Sequence, residues 1–247
     1  NGFSGIYLTA ASANTITLNT VCTSPQPGIW LNSSNKNYIY SNNSYSNNNS
    51  GFLIDGTSSG NNVDSNIARF NSISGFVLNS NTVLGCTITN NLADSNGSYG
   101  FNITSARYNR LTNNKAIRNS NAGFNFVSSA NNNIIVHNLS SNNRGNNGYG
   151  FYIQNSSFNY FAQNTVDSNA QYGFYLTGTS TADTFEKNNW IPGASNSDSA
   201  VFNNCGANTT FLFRYNYWST TDSSIINNRI AGANSAQILW SPFRTST

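Results

Sequence analysis

The sequence predicts an all-β solenoid, a right-handed single-stranded parallel β-helix of about eight to nine turns with a C-terminal cap containing a short helix. Three observations predict it. Gly-apolar-x-apolar recurs from Gly5-Ile6-Tyr7-Leu8 to Gly173-Phe174-Tyr175-Leu176, with successive glycines 23, 23, 24, 25, 23, 27 and 23 residues apart. Each copy is followed by Asn-x-apolar-x-x-Asn, as in Asn37-Tyr38-Ile39-Tyr40-Ser41-Asn42. Within both segments apolar residues alternate at a period of two, which marks strands and not helices. Self-similarity at a fixed period of this length is the signature of a repeat architecture, and three short strands per period make one turn of a β-helix. Turns stacked at the strand spacing of about 4.8 Å give a rod on the order of 40 Å long.

The first strand of each turn follows the glycine. Its inward slots hold Ile, Leu or Phe, and alternation turns the slot between them outward. The second strand lies inside the Asn-x-apolar-x-x-Asn unit, read at Asn14-Ile16-Asn19, Asn37-Ile39-Asn42, Asn61-Val63-Asn66, Asn81-Val83-Cys86, Asn109-Leu111-Asn114, Asn133-Ile135-Asn138, Asn159-Phe161-Asn164 and Asp183-Phe185-Asn188. A third Asn follows at Asn47, Asn71, Asn91, Asn119, Asn143 and Asn169, with a smaller inward residue before it at Val21, Ser44, Ala68, Ile88, Ala116, Ser140, Val166 or Trp190. Asn tolerates the left-handed conformation a corner requires, and the same amide in successive turns can donate and accept along the rod. This is the reading given to the 49 Asn among 247 residues. Repeats occupy 1–218 and a cap of the same domain 219–247. In the cap, Asp222 or Ser223 can N-cap a helix from about 223 to 230, and Ile238 and Trp240 are expected to cover the last turn, because an open strand edge must be covered. At the other end Gly5 opens a full repeat only four residues after Asn1. Residues upstream of this piece are expected to cover the Ile6 and Leu8 edge, in preference to end-to-end assembly.

Composition excludes several classes. Charge is sparse, with 11 Lys+Arg, 8 Asp+Glu and a net +3, too thin for an electrostatic nucleic-acid footprint. No run approaches the length of a membrane span. Cys22, Cys86 and Cys205 form no CxxC and are expected as buried free thiols, Cys86 in a slot otherwise held by Asn. Eight sequons, including Asn32, Asn42, Asn96, Asn102, Asn138 and Asn208, arise readily in so Asn- and Ser-rich a chain and matter only in a host that glycosylates.

The two repeat motifs resemble those of the NosD-like and pectin-lyase-like superfamily of parallel β-helices, over residues 5 to about 218. The segment Asn216-Tyr217-Trp218-Ser219-Thr220-Thr221-Asp222, followed by Ile225 to Ile230 and by Ile238-Leu239-Trp240-Ser241-Pro242-Phe243, resembles the closing segment of such domains. The family pattern has Gly where Ser219 stands and an acidic loop where Ala231 to Ala236 stands. The resemblance implies copper delivery for some members, and polysaccharide lyase, hydrolase or epimerase activity for others. Copper sites want His, Met and Cys. With one His, His137, no Met and three scattered Cys, neither copper nor any other metal or cofactor is expected, and no family catalytic motif carries over.

The acids Asp55, Asp64, Asp94, Asp167, Asp183, Glu186, Asp198 and Asp222 supply no neighbouring pair in matching slots, as a glycosidase needs. Asp183 replaces a ladder Asn. Arg107, Arg110, Lys115 and Arg118 form the densest charge cluster, a candidate anion-binding group that a uronate enzyme could use. They fall on different corners of one turn, which favours simple solvation of the rod. The outward column of the first strand reads Tyr7, Trp30, Leu53, Val77, Asn102, Asn125, Tyr152 and Tyr175. Aromatic rings lying flat on a rigid sheet stack on sugars or pack against a partner, and the next column offers Asn32, Asp55 and Gln154 to hydroxyls. The expected binding face is therefore Tyr7, Trp30, Asn32, Asp55, Tyr152, Gln154 and Tyr175. The expected function is that of a secreted, periplasmic or cell-surface module, binding carbohydrate or a surface protein and acting as a rigid spacer, non-catalytic and without nucleic-acid partners or membrane insertion. The alternatives are an enzyme on acidic polysaccharide and a self-associating fibre subunit.

Overall fold

A computed structural model describes residues 2–192, 199–206 and 209–246 of the protein; Asp198 and Asn208 lie outside these. Among the described residues the chain winds into three parallel sheets. Sheet A has ten strands, from Ile6–Thr9 to Ile230–Ala231; sheet B has ten, from Thr15–Thr17 to Ile238–Leu239; sheet C has eight, from Thr20–Cys22 to Asn189–Ile191. Eight turns therefore carry all three strands, a ninth carries two, and the cap adds part of a tenth. Register follows the glycine motif: Tyr7 pairs with Trp30, Asn102 with Asn125 and Tyr152 with Tyr175.

The core is built in columns. Phe52, Phe76, Phe101, Phe124, Phe151 and Phe174 stack with centroids 4.6 to 5.1 Å apart and planes within 12° of parallel. Each ring thus lies on the equivalent ring of the next turn, an offset stack favoured by the ring quadrupole. Glycine opens the sheet A strand because the backbone of the next turn and the inward residue of sheet C close on it. A Cβ at Gly100 would sit 2.6 Å from Gly123 O and 2.7 Å from Ala116 Cβ. The small residues expected inward on sheet C serve this close approach.

Three ladders run the length of the rod. In the one between sheets B and C, Asn114 donates through its backbone N–H and its Nδ2 to Asn138 Oδ1, and Asn138 does the same to Asn164. The remaining amide proton reaches back to the previous turn, as Asn138 Nδ2 does to Leu111 O. The buried amides of this ladder are thus fully engaged, which is what makes them tolerable in a core.

The structure corrects three expectations. The ladder Asn are not the left-handed residues. Positive φ falls on the residue before each, such as Leu18 (φ 58), Phe70 (φ 54), Tyr108 (φ 57) and Phe158 (φ 60). An L-residue pays about 1–2 kcal/mol there, offset by the hydrogen bonds of the Asn it aims inward. Turn four is also out of the expected register. Its corner is longer, so Asn81 is exposed. Cys86 begins the unit, donating its N–H to Asn109 Oδ1, and Asn91 occupies the second ladder. Asn96 is the third Asn of that turn and Ala93, not Ile88, its small inward residue on sheet C. Finally, Cys86 and Cys205 are buried but Cys22 is exposed, because it ends the outward slot of Thr20–Cys22. Asn42, Asn96 and Asn138, three of the sequons, are buried in the ladders.

The helix runs Ser223–Asn228, with Asp222 as N-cap accepting from the Ser224 and Ile225 N–H groups. The Ser224 hydroxyl, which donates to the same carboxylate at 2.6 Å, and then these two N–H groups hold the Asp222 carboxyl below its ordinary pKa. Ile226 and Ile238 are buried and Trp240 packs against the core. Sheets A and B thus extend two partial turns beyond the last full one.

Candidate functional site

The outward column of sheet A divides into two aromatic groups. At the N-terminal end, Tyr7 and Trp30 lie 4.7 Å apart at 47°. Trp30 Nε1 donates to Asp55 Oδ1 at 2.9 Å, and Asn32 Nδ2 donates to the Tyr7 hydroxyl at 3.2 Å. Four of the seven expected contact residues therefore satisfy one another, and none of the four lines the cleft formed by the rest.

The other three, Tyr152, Gln154 and Tyr175, line an open cleft of about 510 Å³ over turns five to eight. Its floor holds Asn102, Asn125, Thr104 and Val127, and its sides carry Tyr99, Ser128, Asn147 and Tyr149. Asn147 and Tyr149 stand on the corner between Leu139–Ser141 and Phe151–Gln154, which is three residues longer than its neighbour one turn on. That corner folds back on itself, Gly148 N–H donating to Gly145 O and Tyr149 N–H to Asn147 O, and so lifts Tyr149 over sheet A.

The tyrosine rings do not lie flat. Tyr152 and Tyr175 are 5.4 Å apart and within 7° of parallel, and Tyr175 and Phe202 are 5.1 Å apart at 18°. Flat-lying rings cannot fit side by side at a strand spacing of about 4.8 Å, so each ring partly covers the face of the next. Tyr149 joins this stack 4.8 Å from Tyr175 but 5.6 Å from Tyr152, and Tyr172 joins it 4.5 Å from Phe202. The stack ends at Tyr152, because the outward slot of the turn before it holds Asn125. An open ring face thus meets a floor of amides.

The cleft lining contains no Asp, Glu, His, Lys, Arg or Cys among the described residues. Burial, then the phenols of Tyr175, Tyr99 and Tyr149, push Tyr152 up to about 12; burial likewise raises Tyr99 and Tyr149. These phenols stay protonated at neutral pH and act as hydrogen-bond donors, not bases. The proposed anion-binding cations are not brought together. Arg110 is on sheet B, Lys115 on sheet C, and Arg118 at the corner beyond it, paired with Asp94 at 2.6 Å. Arg107 donates Nε to Ser129 O at 3.2 Å.

Residues 1–146, more than half of the chain, match the family model of the periplasmic copper-binding protein NosD. The chain belongs to the NosD family. No curated protein matches this NosD-family chain in sequence. Among solved structures it is similar to the A-module of Azotobacter vinelandii mannuronan C-5 epimerase AlgE6, with a TM-score of 0.67 at 14% identity over 83% of this chain and 58% of that one. It is also similar to the DFA-IIIase of Arthrobacter chlorophenolicus A6 without its lid, with a TM-score of 0.65 at 14% identity over 99% of this chain and 60% of that one. At such identity the likeness is one of fold. The chain spans about three-fifths of the length of either protein.

The described residues of this NosD-family chain do not fit a copper ion. No three His, Cys, Asp or Glu side chains among them come together. Cys86 is sealed in a ladder and His137 is exposed on a corner. Elemental analysis of the purified chain is expected to find no stoichiometric copper or zinc; one equivalent of either, lost on replacing His137 or Cys22, would show a site assembled some other way.

Tyr149, Tyr99, Tyr172, Asn147 and Phe202 were not among the expected contact residues. A signal for the first three is present: Tyr-Gly-Phe recurs at 99–101, 149–151 and 172–174, placing a phenol just outside the strand in each case.

Proposed function

We propose that this chain is a non-catalytic carbohydrate-binding module of the periplasm, with the sheet A cleft as its contact surface and the rod as its rigid support. One observation carries the reading: a cleft of about 510 Å³ lined by tyrosines, amides and hydroxyls, with no acid or base among its lining residues. That volume is in the range of small-ligand sites, about 300–1,000 Å³. Amides and phenols can donate to and accept from sugar hydroxyls, and the free face of Tyr152 suits the apolar face of a pyranose. Hydrolysis or elimination would need a positioned acid and base within reach of the substrate. The family description supports the compartment, and no helix among the described residues is long and apolar enough to cross a membrane.

Glycan-array or affinity-gel binding tests it. Replacing Tyr152 and Tyr175 together with Ser is expected to weaken oligosaccharide binding roughly a hundredfold, as loss of two aromatic contacts would. Replacing Tyr7 and Trp30 together with Ser is expected to leave binding unchanged. Equal binding by wild type and the Tyr152/Tyr175 variant would sink the reading. Release of unsaturated sugars or reducing ends by the purified chain would favour the enzymatic alternative.

A further inference from the structure

The floor of the cleft contains an uncommitted acceptor. Asn125 is 2% exposed, and its Nδ2 donates to Asn102 Oδ1 at 2.7 Å. Asn102 Oδ1 also accepts from Thr104 Oγ1 at 3.3 Å. Asn125 Oδ1 has no protein partner. In the ladders a comparable amide oxygen facing another Asn is used twice, as Asn138 Oδ1 is by Asn114. A buried carbonyl oxygen left alone is costly, and this one belongs to a residue that lines the cleft, beside the open face of Tyr152.

We infer that the cleft selects neutral glycans over uronates, with Asn125 Oδ1 accepting a hydrogen bond from a hydroxyl of the bound sugar. The inference rests on the carbohydrate-binding reading above and names its ligand class. An acceptor at the floor asks for a donor. The exocyclic hydroxyl of a neutral hexose supplies one; the ionised carboxylate that replaces it in a uronate does not and would meet the Asn125 oxygen with like charge. A uronate buried here would also need a cation, since a charge taken from water is tolerated only when paired. The lining offers none. Arg107 stands outside it, engaged with Ser129 O, and Arg144 is exposed on the long corner without lining the cleft. The raised Tyr152 phenol is consistent with surroundings that disfavour negative charge.

Isothermal titration of the whole chain tests this with neutral hexaoses (β-gluco-, manno- and galacto-) against oligomannuronate and oligogalacturonate of equal length. The expected result is binding of at least one neutral series roughly tenfold or more tighter than either uronate, one lost hydrogen bond to a hydroxyl being worth about that factor. Asn125→Leu is expected to lose about tenfold in that binding while its Tm holds or rises, because the orphaned oxygen goes with it. Uronates bound as well as or better than neutral sugars, through Tyr152 and Tyr175, would overturn the inference and leave the carbohydrate reading standing. Neutral binding unaffected in a folded Asn125→Leu would overturn the role of Asn125. Binding of neither series would overturn the carbohydrate reading and the inference together. The comparison of the two sugar series uses wild-type protein and holds even if the variant fails to fold.

Discussion

Replacing Asp183 with Asn raises the stability of the rod at neutral pH and removes a slope from its pH dependence. Asp183 closes the first ladder at turn eight. Its Oδ1 accepts the Asn159 N–H and Nδ2, while its Oδ2 is buried without a partner. Burial outweighs those two hydrogen bonds and lifts the carboxyl from 3.8 to about 8. The folded chain therefore holds a proton that the unfolded chain has released between about pH 4 and pH 8. Where the folded state binds more protons, stability falls as pH rises. The wild type is expected to lose up to about 1.4 kcal/mol per pH unit across that window and to level off above it, with a deficit at pH 7 of at most about 4 kcal/mol. An Asn at 183 keeps the acceptor and turns the orphaned oxygen into a donor. In other turns that donor reaches a carbonyl one turn back, as Asn61 Nδ2 reaches Ser34 O and Asn133 Nδ2 reaches Ala106 O. Urea unfolding of both proteins from pH 4 to 9 isolates the effect as a difference. Parallel profiles would show that Asp183 is not buried as a neutral acid.

Breaking a ladder in mid-rod has the opposite sign and similar size. Asn138→Ala removes the oxygen that satisfies Asn114 N–H and Nδ2, and the amide that satisfies Leu111 O and Val136 O. Each buried group so orphaned costs about 1–3 kcal/mol, partly relieved by relaxation, so the expected loss is about 3–5 kcal/mol. Asn146→Ala on the exposed long corner is expected to stay within about 0.5 kcal/mol. Equal losses at the two sites, measured by chemical denaturation, would mean that the ladders fill space without contributing hydrogen-bond energy.

Solenoid, strand order, inward columns and cap could be read from the sequence because each repeats or closes a period. The errors occur where the period changes. In turn four a longer corner offered Asn81 as a false start, and only pairing of Ile88 with Val63 and Leu111 fixes the frame. At the long corner of turn six, three added residues have no counterpart in turns five and seven, so nothing periodic announced that Tyr149 would be lifted over sheet A. Ring orientation was illegible for another reason. Alternation says that Tyr152 points outward, but whether its face or its edge is presented depends on the distance to Tyr175. The functional partition of the aromatic column was hidden as well, since Trp30 and Tyr152 look alike until the Asp55 carboxylate is seen holding the indole.

The left-handed residue that precedes each ladder Asn has a wider consequence. Along one edge of the rod this position holds Leu18, Ser41, Ser65, Asn90, Asn113, His137, Gln163, Lys187 and Tyr215, all with φ between 50 and 58. Apolar, cationic, amide and phenolic groups share one backbone shape there, and Leu18 is 78% exposed. The interior is indifferent to what these pegs carry. The molecule is thus a ruler with interchangeable marks: regularly spaced points of fixed geometry, on which new surface chemistry can be written one letter at a time without rewriting the scaffold beneath.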